Sequence, residues 1–227
     1  MKKTGLLVQA RMTSTRLPGK VLMDILGEPM IVRVMERVRR CRLTGDALIV
    51  TSDDVSDDPL CAVLNARSIP FFRGSLHDVL SRYFHAAKKL GLDTVVRVTG
   101  DCPLVDPQWL DRLVERLERG GYDAVFCADS VPDGFRAHVL TYAALEKAFQ
   151  KASLNEEREH VVPYLWNHPQ EFRVYYESYP QDLSACHLSV DTQQDLERVR
   201  ALYELLYRQN PMFTLEDVAG TLAGIRA

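Results

Sequence analysis

The chain has 227 residues, 46% of them hydrophobic and 26% charged, a length and balance suited to one folded domain and not to a disordered chain. Its net charge of −3 gives no overall basic field for nucleic acid, and no apolar run approaches membrane-spanning length. Five cysteines, an odd number with no CxxC pair, fit reduced thiols of a cytoplasmic protein better than a disulfide framework or a zinc site.

Short apolar runs alternate with longer helical patterns. Leu6-Leu7-Val8 reads as the first strand, and its apolar run ends at Gln9 and Arg11, too soon for a signal-peptide core. Ile31, Val34, Met35 and Val38 recur at helical spacing. Ala47 to Thr51 is a second strand, Pro59 to Arg67 a helix and Ile69 to Phe72 a third strand. A helix from about Leu76 to Leu90 is closed by Gly91, and Thr94 to Val98 is the next strand. Pro107 to Arg119 is helical, Tyr122 to Cys127 extended, and Pro132-Asp133-Gly134 a loop. Thr141 to Lys151 and Asn155 to His168 are expected as helices, the second kinked at Pro163. Phe172 to Tyr176 and His187 to Val190 look extended, and Gln193 to Arg208 and Thr214 to Ile225 close the chain as helices. The βαβ rhythm predicts an α/β fold with a mostly parallel sheet flanked by helices, as one domain over residues 1–227. Residues from about 130 to 185 break the rhythm and read as an insertion serving an acceptor site or a dimer contact.

The loop after the first strand, Gln9 to Lys20, carries three cations (Arg11, Arg16, Lys20) and three hydroxyl residues (Thr13, Ser14, Thr15). Ligands bind at the carboxyl ends of strands in open α/β sheets, and arginine and lysine grip phosphate. A nucleoside triphosphate suits this set, although neither the Walker nor the GxGxxG pattern is present. The plainer reading is a solvated basic loop. In Arg97-Val98-Thr99-Gly100-Asp101-Cys102-Pro103 a strand runs through a glycine into Asp101, placing a carboxylate on the same edge. Such a carboxylate can hold Mg²⁺ together with phosphate oxygens. Asp106, before Pro107, reads as a helix cap, and Cys102 has no base beside it.

These blocks, with Arg158-Glu159-His160-Val161 and Ser189-Val190-Asp191-Thr192, resemble the cytidylyltransferase family of the CMP-KDO and CMP-acylneuraminate synthetases, and most of all its branch of spore-coat polysaccharide biosynthesis F proteins. The resemblance implies a Rossmann-like nucleotidyltransferase fold, a frequent homodimer, and attack of a sugar oxygen on the α-phosphorus of CTP with loss of pyrophosphate. It implies Mg²⁺ at Asp101 and Asp191, phosphate contacts from Arg11, Arg16 and Lys20, and a nucleotide site that includes Gln9, Ala10, Thr99 and Gly100. Catalytic weight falls on Lys20, Asp101 and Arg11. One departure concerns the base contact and the sugar: the KDO enzymes have Gln-Gly-Asp-Glu-Pro where this chain has Thr99-Gly100-Asp101-Cys102-Pro103.

Arg73, after the third strand, is a candidate for the base or ribose side, or a surface arginine in a turn. Arg136, in Asp133-Gly134-Phe135-Arg136, could pair with an acidic sugar, though Asp133-Gly134 is also ordinary turn chemistry. Glu159 and His160 are either acceptor contacts or a helix-surface pair. Asp191 alone would read as an N-cap. The rival functions are a glycosyltransferase using a nucleotide sugar and a non-catalytic nucleotide-binding protein.

Overall fold

The structure, a computed structural model, describes residues 2–226. A seven-stranded sheet organises the fold. Its strands are β1 (Thr4–Gln9), β4 (Asp46–Ser52), β5 (Phe71–Gly74), β6 (Thr94–Thr99), β7 (Ala124–Cys127), β8 (His138–Thr141) and β9 (Val174–Glu177). The order across it is β5-β4-β1-β6-β8-β7-β9. The β5-β4-β1-β6 half is parallel, while β8 lies antiparallel between β6 and β7, and β9 pairs parallel with β7. A two-stranded ribbon, β2 (Asp24–Ile25) and β3 (Glu28–Pro29), stands apart.

Strand alternation divides the apolar residues between two faces. Leu6 and Val8 enter one core and Leu7 the other. The first core receives apolar residues from α1 (Met30–Val38), α2 (Asp58–Ala66), α4 (Pro107–Gly120), α8 (Gln193–Leu206) and α9 (Leu215–Arg226). The second receives α3 (Val79–Leu90), α5 (Tyr142–Lys151) and α7 (Pro163–Asn167). Burying both faces leaves the carboxyl edge of the parallel strands as the place where polar loops gather.

Several boundaries differ from the sequence expectation. The strand β8 is short and passes directly into α5, whose N-cap Thr141 accepts from the Ala144 N–H, so a helical pattern masks its last residue. The third strand runs to Gly74, and α3 starts at Val79 because Asp78 caps it, accepting from the Ser81 N–H. The expected helix 155–168 is two helices, α6 (Asn155–His160) and α7, with Pro163 at the start of the second. Between them Val161, fully buried, takes φ 74° and ψ −52°, a conformation rare for a β-branched residue. Residues 187–190 form one bridge, Asp133 to His187, and no strand. The segment from about 130 to 185 supplies β8 and β9 to the common sheet as well as α5, α6 and α7.

Candidate active site

The register pairs Gln9 with Thr99, so β1 and β6 end side by side. Their loops then meet at Gly100, whose N–H donates to the Gln9 carbonyl at 2.7 Å. A Cβ on Gly100 would lie 3.0 Å from that carbonyl oxygen and 3.1 Å from the Ala10 Cβ, so the loops close over each other more tightly than a side chain there would allow without a shift of its neighbours. The phosphate loop is anchored from below by Asp57, a fully buried carboxylate. It accepts from the Met12 N–H at 2.6 Å and from the Ser52 N–H and Thr51 hydroxyl at 3.0 Å each. The loop then closes on itself through the Gly19 N–H and the Met12 carbonyl, and a single 3₁₀ turn, Lys20–Leu22, delivers Lys20 inward.

Lys20 is buried, and its ammonium donates to Asp101 Oδ2 at 2.7 Å, the Val190 carbonyl at 2.7 Å and Asp191 Oδ1 at 2.9 Å. Burial works against its charge, but the two carboxylates outweigh that and raise its pKa. Burial likewise opposes the Asp101 charge, and the Lys20 ammonium more than compensates and lowers it. Arg16 reaches the same Asp191 oxygen at 2.7 Å. The backbone holds the two acidic segments together, since the Val190 N–H donates to the Asp101 carbonyl at 2.9 Å.

Asp191 is not the cap of α8. That role belongs to Thr192, whose side chain accepts from the Asp195 N–H while Asp195 reaches back in a capping box. Beside Asp191, the Nδ1 atom of His187 lies 2.9 Å from Asp133 Oδ2, and Nε2 lies 3.6 Å from Asp191 Oδ2. Single ligand atoms of Asp133, His187 and Asp191 fall within 4.8 Å of one another. Gly134 makes that approach possible: at φ 98° its Cβ position falls 2.4 Å from the Leu188 carbonyl carbon.

A cavity of about 270 Å³ opens over this cluster, and Gln9, Ala10, Arg11, Arg16, Lys20, Thr99, Gly100, Asp101, His160 and Asp191 all line it. Arg11 pairs with Glu159 at 3.3 Å across its rim, so both chain segments named in the sequence as candidate contacts meet there. A second cavity of about 510 Å³ adjoins it, with Thr99 in both walls. It takes in Asp133 and Arg136, together with Arg97, His138, Trp166 and Tyr176, which sequence reasoning did not single out. Only Arg97 left a signal, as a charge inside an otherwise apolar strand. Arg73 does not line either cavity. Its Nε donates to the Ser52 carbonyl at 2.8 Å and its Nη2 to the Asp54 carbonyl at 2.9 Å, while Nη1 pairs with Asp58 at 2.7 Å. The guanidinium is thus occupied in closing the loop after β4, contrary to the expected place at the base or ribose.

The sequence matches the model of a protein family described as cytidylyltransferase over residues 6–216. An uncharacterized protein of Methanocaldococcus jannaschii is 35% identical over 200 residues, 87% of this chain and 81% of that protein. The spore coat polysaccharide biosynthesis protein SpsF of Bacillus subtilis is 33% identical over 205 residues, 87% of this chain and 85% of that one. The solved structure of a cytidylyltransferase from Leptospira borgpetersenii superposes with a TM-score of 0.93 at 29% identity, covering 100% of this chain and 96% of that one.

Proposed function

The chain belongs to the cytidylyltransferase family, and from that premise we propose how its site works. It transfers CMP from CTP to a sugar or acidic sugar-like acceptor and releases pyrophosphate. The observation that carries this reading is the single ammonium of Lys20 held by both Asp101 and Asp191 on the floor of the smaller cavity. Arg11, Arg16 and Lys20 would hold the triphosphate and stabilise charge developing on the departing pyrophosphate. An acceptor in the larger cavity reaches the α-phosphorus past Thr99, the residue common to both walls. Its hydroxyl oxygen forms the new P–O bond as the bond from the α-phosphorus to the bridging oxygen breaks; pyrophosphate takes the electron pair, and the hydroxyl proton passes to solvent.

The donor set fits Mg²⁺: two carboxylates from separate chain segments already converge on one cation, and hard oxygen donors are what this ion prefers. Asp101 and Asp191 would hold it, and when bound it neutralises phosphate charge. The reading includes a homodimer, for which β9 leaves an open sheet edge. It also includes a cytoplasmic setting, supported by five free cysteines. A role in glycan synthesis is supported by the name of the Bacillus relative.

A pyrophosphate-release screen tests the reading, with four nucleoside triphosphates against a panel of sugars and sugar acids in Mg²⁺. CTP is expected to be preferred. A purine preference overturns the cytidylyl assignment, and release of a nucleoside mono- or diphosphate from a nucleotide sugar points to glycosyl transfer. Light scattering measures the oligomeric state.

A further inference from the structure

Arg97 stands in the apolar run of β6 and is only 8% exposed. Its Nη2 donates to the Gln9 side-chain oxygen at 3.2 Å, its Nη1 lies 3.1 Å from His138 Nδ1, and among the described residues its buried Nε has no hydrogen-bond partner. Among the described residues it has no ion-pair partner within 4.0 Å. A buried guanidinium lacking both an anion and one of its hydrogen bonds is costly to a fold, and the cost is recovered when a ligand supplies the missing acceptor. This side chain lines the larger cavity.

Its neighbours sharpen the chemistry. A guanidinium can only donate, so His138 Nδ1 must accept, and the ring carries its proton on Nε2. Burial first, then the charges of Arg97 and Arg136, hold His138 well below the usual histidine range and therefore neutral. The ring thus offers one more donor in the same cavity wall. Arg136, the sequence candidate for an acidic group, lines the same cavity but already has partners. Its Nε donates to the Val131 carbonyl at 3.1 Å, and its guanidinium lies 3.6 Å from Asp129. Trp166 and Tyr176, 42% and 52% exposed, pack edge-on to Phe126 at 5.9 and 5.8 Å between ring centroids. They give the cavity aromatic surface for the apolar side of a sugar ring.

We propose that Arg97 is the specificity-determining residue of the acceptor cavity: with His138 it seats an anionic group, a carboxylate or a phosphate, on a sugar that lies against Trp166 and Tyr176. The inference rests on the cytidylyl-transfer reading of the adjoining site. It assigns acceptor recognition to a buried cation and not to the more exposed Arg136, and it predicts discrimination against neutral sugars.

The orphaned Nε–H is its own reporter. Its ¹⁵N–¹H resonance, assigned by its loss in Arg97→Gln, is followed while the protein is titrated with pyruvate, with inorganic phosphate and with neutral pyruvamide. A saturable shift with one or both anions, and none with pyruvamide, is expected, and the anion that acts identifies a sugar acid or a sugar phosphate as the acceptor. The shift should persist in Lys20→Gln, whose lesion lies in the nucleotide cavity. With a turned-over anionic acceptor, Arg97→Gln should lower kcat/KM on the order of 30-fold or more. Arg97→Lys, which keeps the charge, should retain part of the preference over the matched methyl ester. Absence of any anion shift, an equal shift with pyruvamide, or loss of the shift in Lys20→Gln overturns the proposal. Calorimetry with CTP separates the two levels. CTP binding without an anion shift removes this inference alone, while an anion shift without CTP binding removes the cytidylyl reading and leaves the anion site.

Discussion

Arg16 and Lys20, four residues apart in the same loop, converge on one oxygen, Oδ1 of Asp191, at 2.7 and 2.9 Å. The cations expected to bind phosphate are therefore partnered in the free protein by the carboxylates expected to bind metal. Arg11 is likewise paired in the free protein, with Glu159, a candidate acceptor contact. Nucleotide and metal arriving together would exchange these partners, with phosphates taking the cations and Mg²⁺ the carboxylates.

Removing the internal cation tests that exchange. In Lys20→Gln the two aspartates lose their shared counter-charge, so Mn²⁺ affinity of the nucleotide-free protein, read by electron paramagnetic resonance, should rise. Turnover should fall on the order of 10²–10³-fold, because charge aimed at the leaving group is lost. Unchanged Mn²⁺ affinity would mean that Lys20 does not stand where a cation binds.

Acid should weaken the fold through His138. Its folded pKa is depressed, by burial first and then by Arg97 and Arg136, while the unfolded chain titrates near 6.5. Below that value the unfolded state binds the extra proton, so this contribution is fully present above 6.5 and declines as pH falls toward the folded pKa. The slope is at most about 1.4 kcal/mol per pH unit, less where solvent screens the partly accessible ring. Urea unfolding at about pH 7.5 and 5.5 should show a smaller drop for His138→Gln than for the parent, and equal drops would assign the acid sensitivity to other groups.

Gly134→Ala should disturb the junction between the two cavities. At φ 98° the new methyl would fall 2.4 Å from the Leu188 carbonyl carbon, which is backbone and cannot rotate away. The strain alone should cost about 1–3 kcal/mol, and the Asp133–His187 contact should be displaced. Gly91→Ala serves as the control: φ is also positive, at 61°, but nothing lies within 4 Å, so about 1–2 kcal/mol is expected. Thermal melts rank the two variants.

What could be read from the sequence was local chemistry that the strand ends had already sorted. The cation-rich loop and Asp101 each follow a strand, so the rule for open α/β sheets brings them together without further information. Arg73 obeys the same positional rule and still fails to line the cavity, because a guanidinium can turn back to nearby acceptors, and the Ser52 and Asp54 carbonyls and the Asp58 carboxylate, between the end of β4 and the start of α2, capture it. The strand β8 escaped because four residues leading directly into a helix carry little alternation of their own. Asp133 and His187 lie far apart in sequence, and nothing local announces their bridge except a glycine whose need for positive φ appears only in three dimensions.

Asp191 and Asp195 offer a paired test of cap against cation ligand. Asp191 precedes the helix and Asp195 lies in its first turn. In the structure Asp195 accepts from the Thr192 N–H at 2.8 Å and its hydroxyl at 2.7 Å, and from the Asp191 N–H at 3.2 Å. Asp191 instead directs its carboxylate to Arg16 and Lys20. Asp195→Ala removes a reciprocal cap and should cost about 0.5–2 kcal/mol, which for a chain of this length is a fall in Tm of a few degrees. Its turnover, measured well below that Tm, should stay within a few-fold of the parent. Asp191→Asn keeps the shape and leaves Lys20 bound to Asp101 and the Val190 carbonyl, so its Tm should move little. Its Mg²⁺-dependent pyrophosphate release should nevertheless fall by two orders of magnitude or more, about what losing a principal charge contact in a transferase site removes. The opposite pattern, with Asp191→Asn fully active and Asp195→Ala inactive though folded, would move the cation site one helical turn along the chain and dissolve the pairing of Asp101 with Asp191.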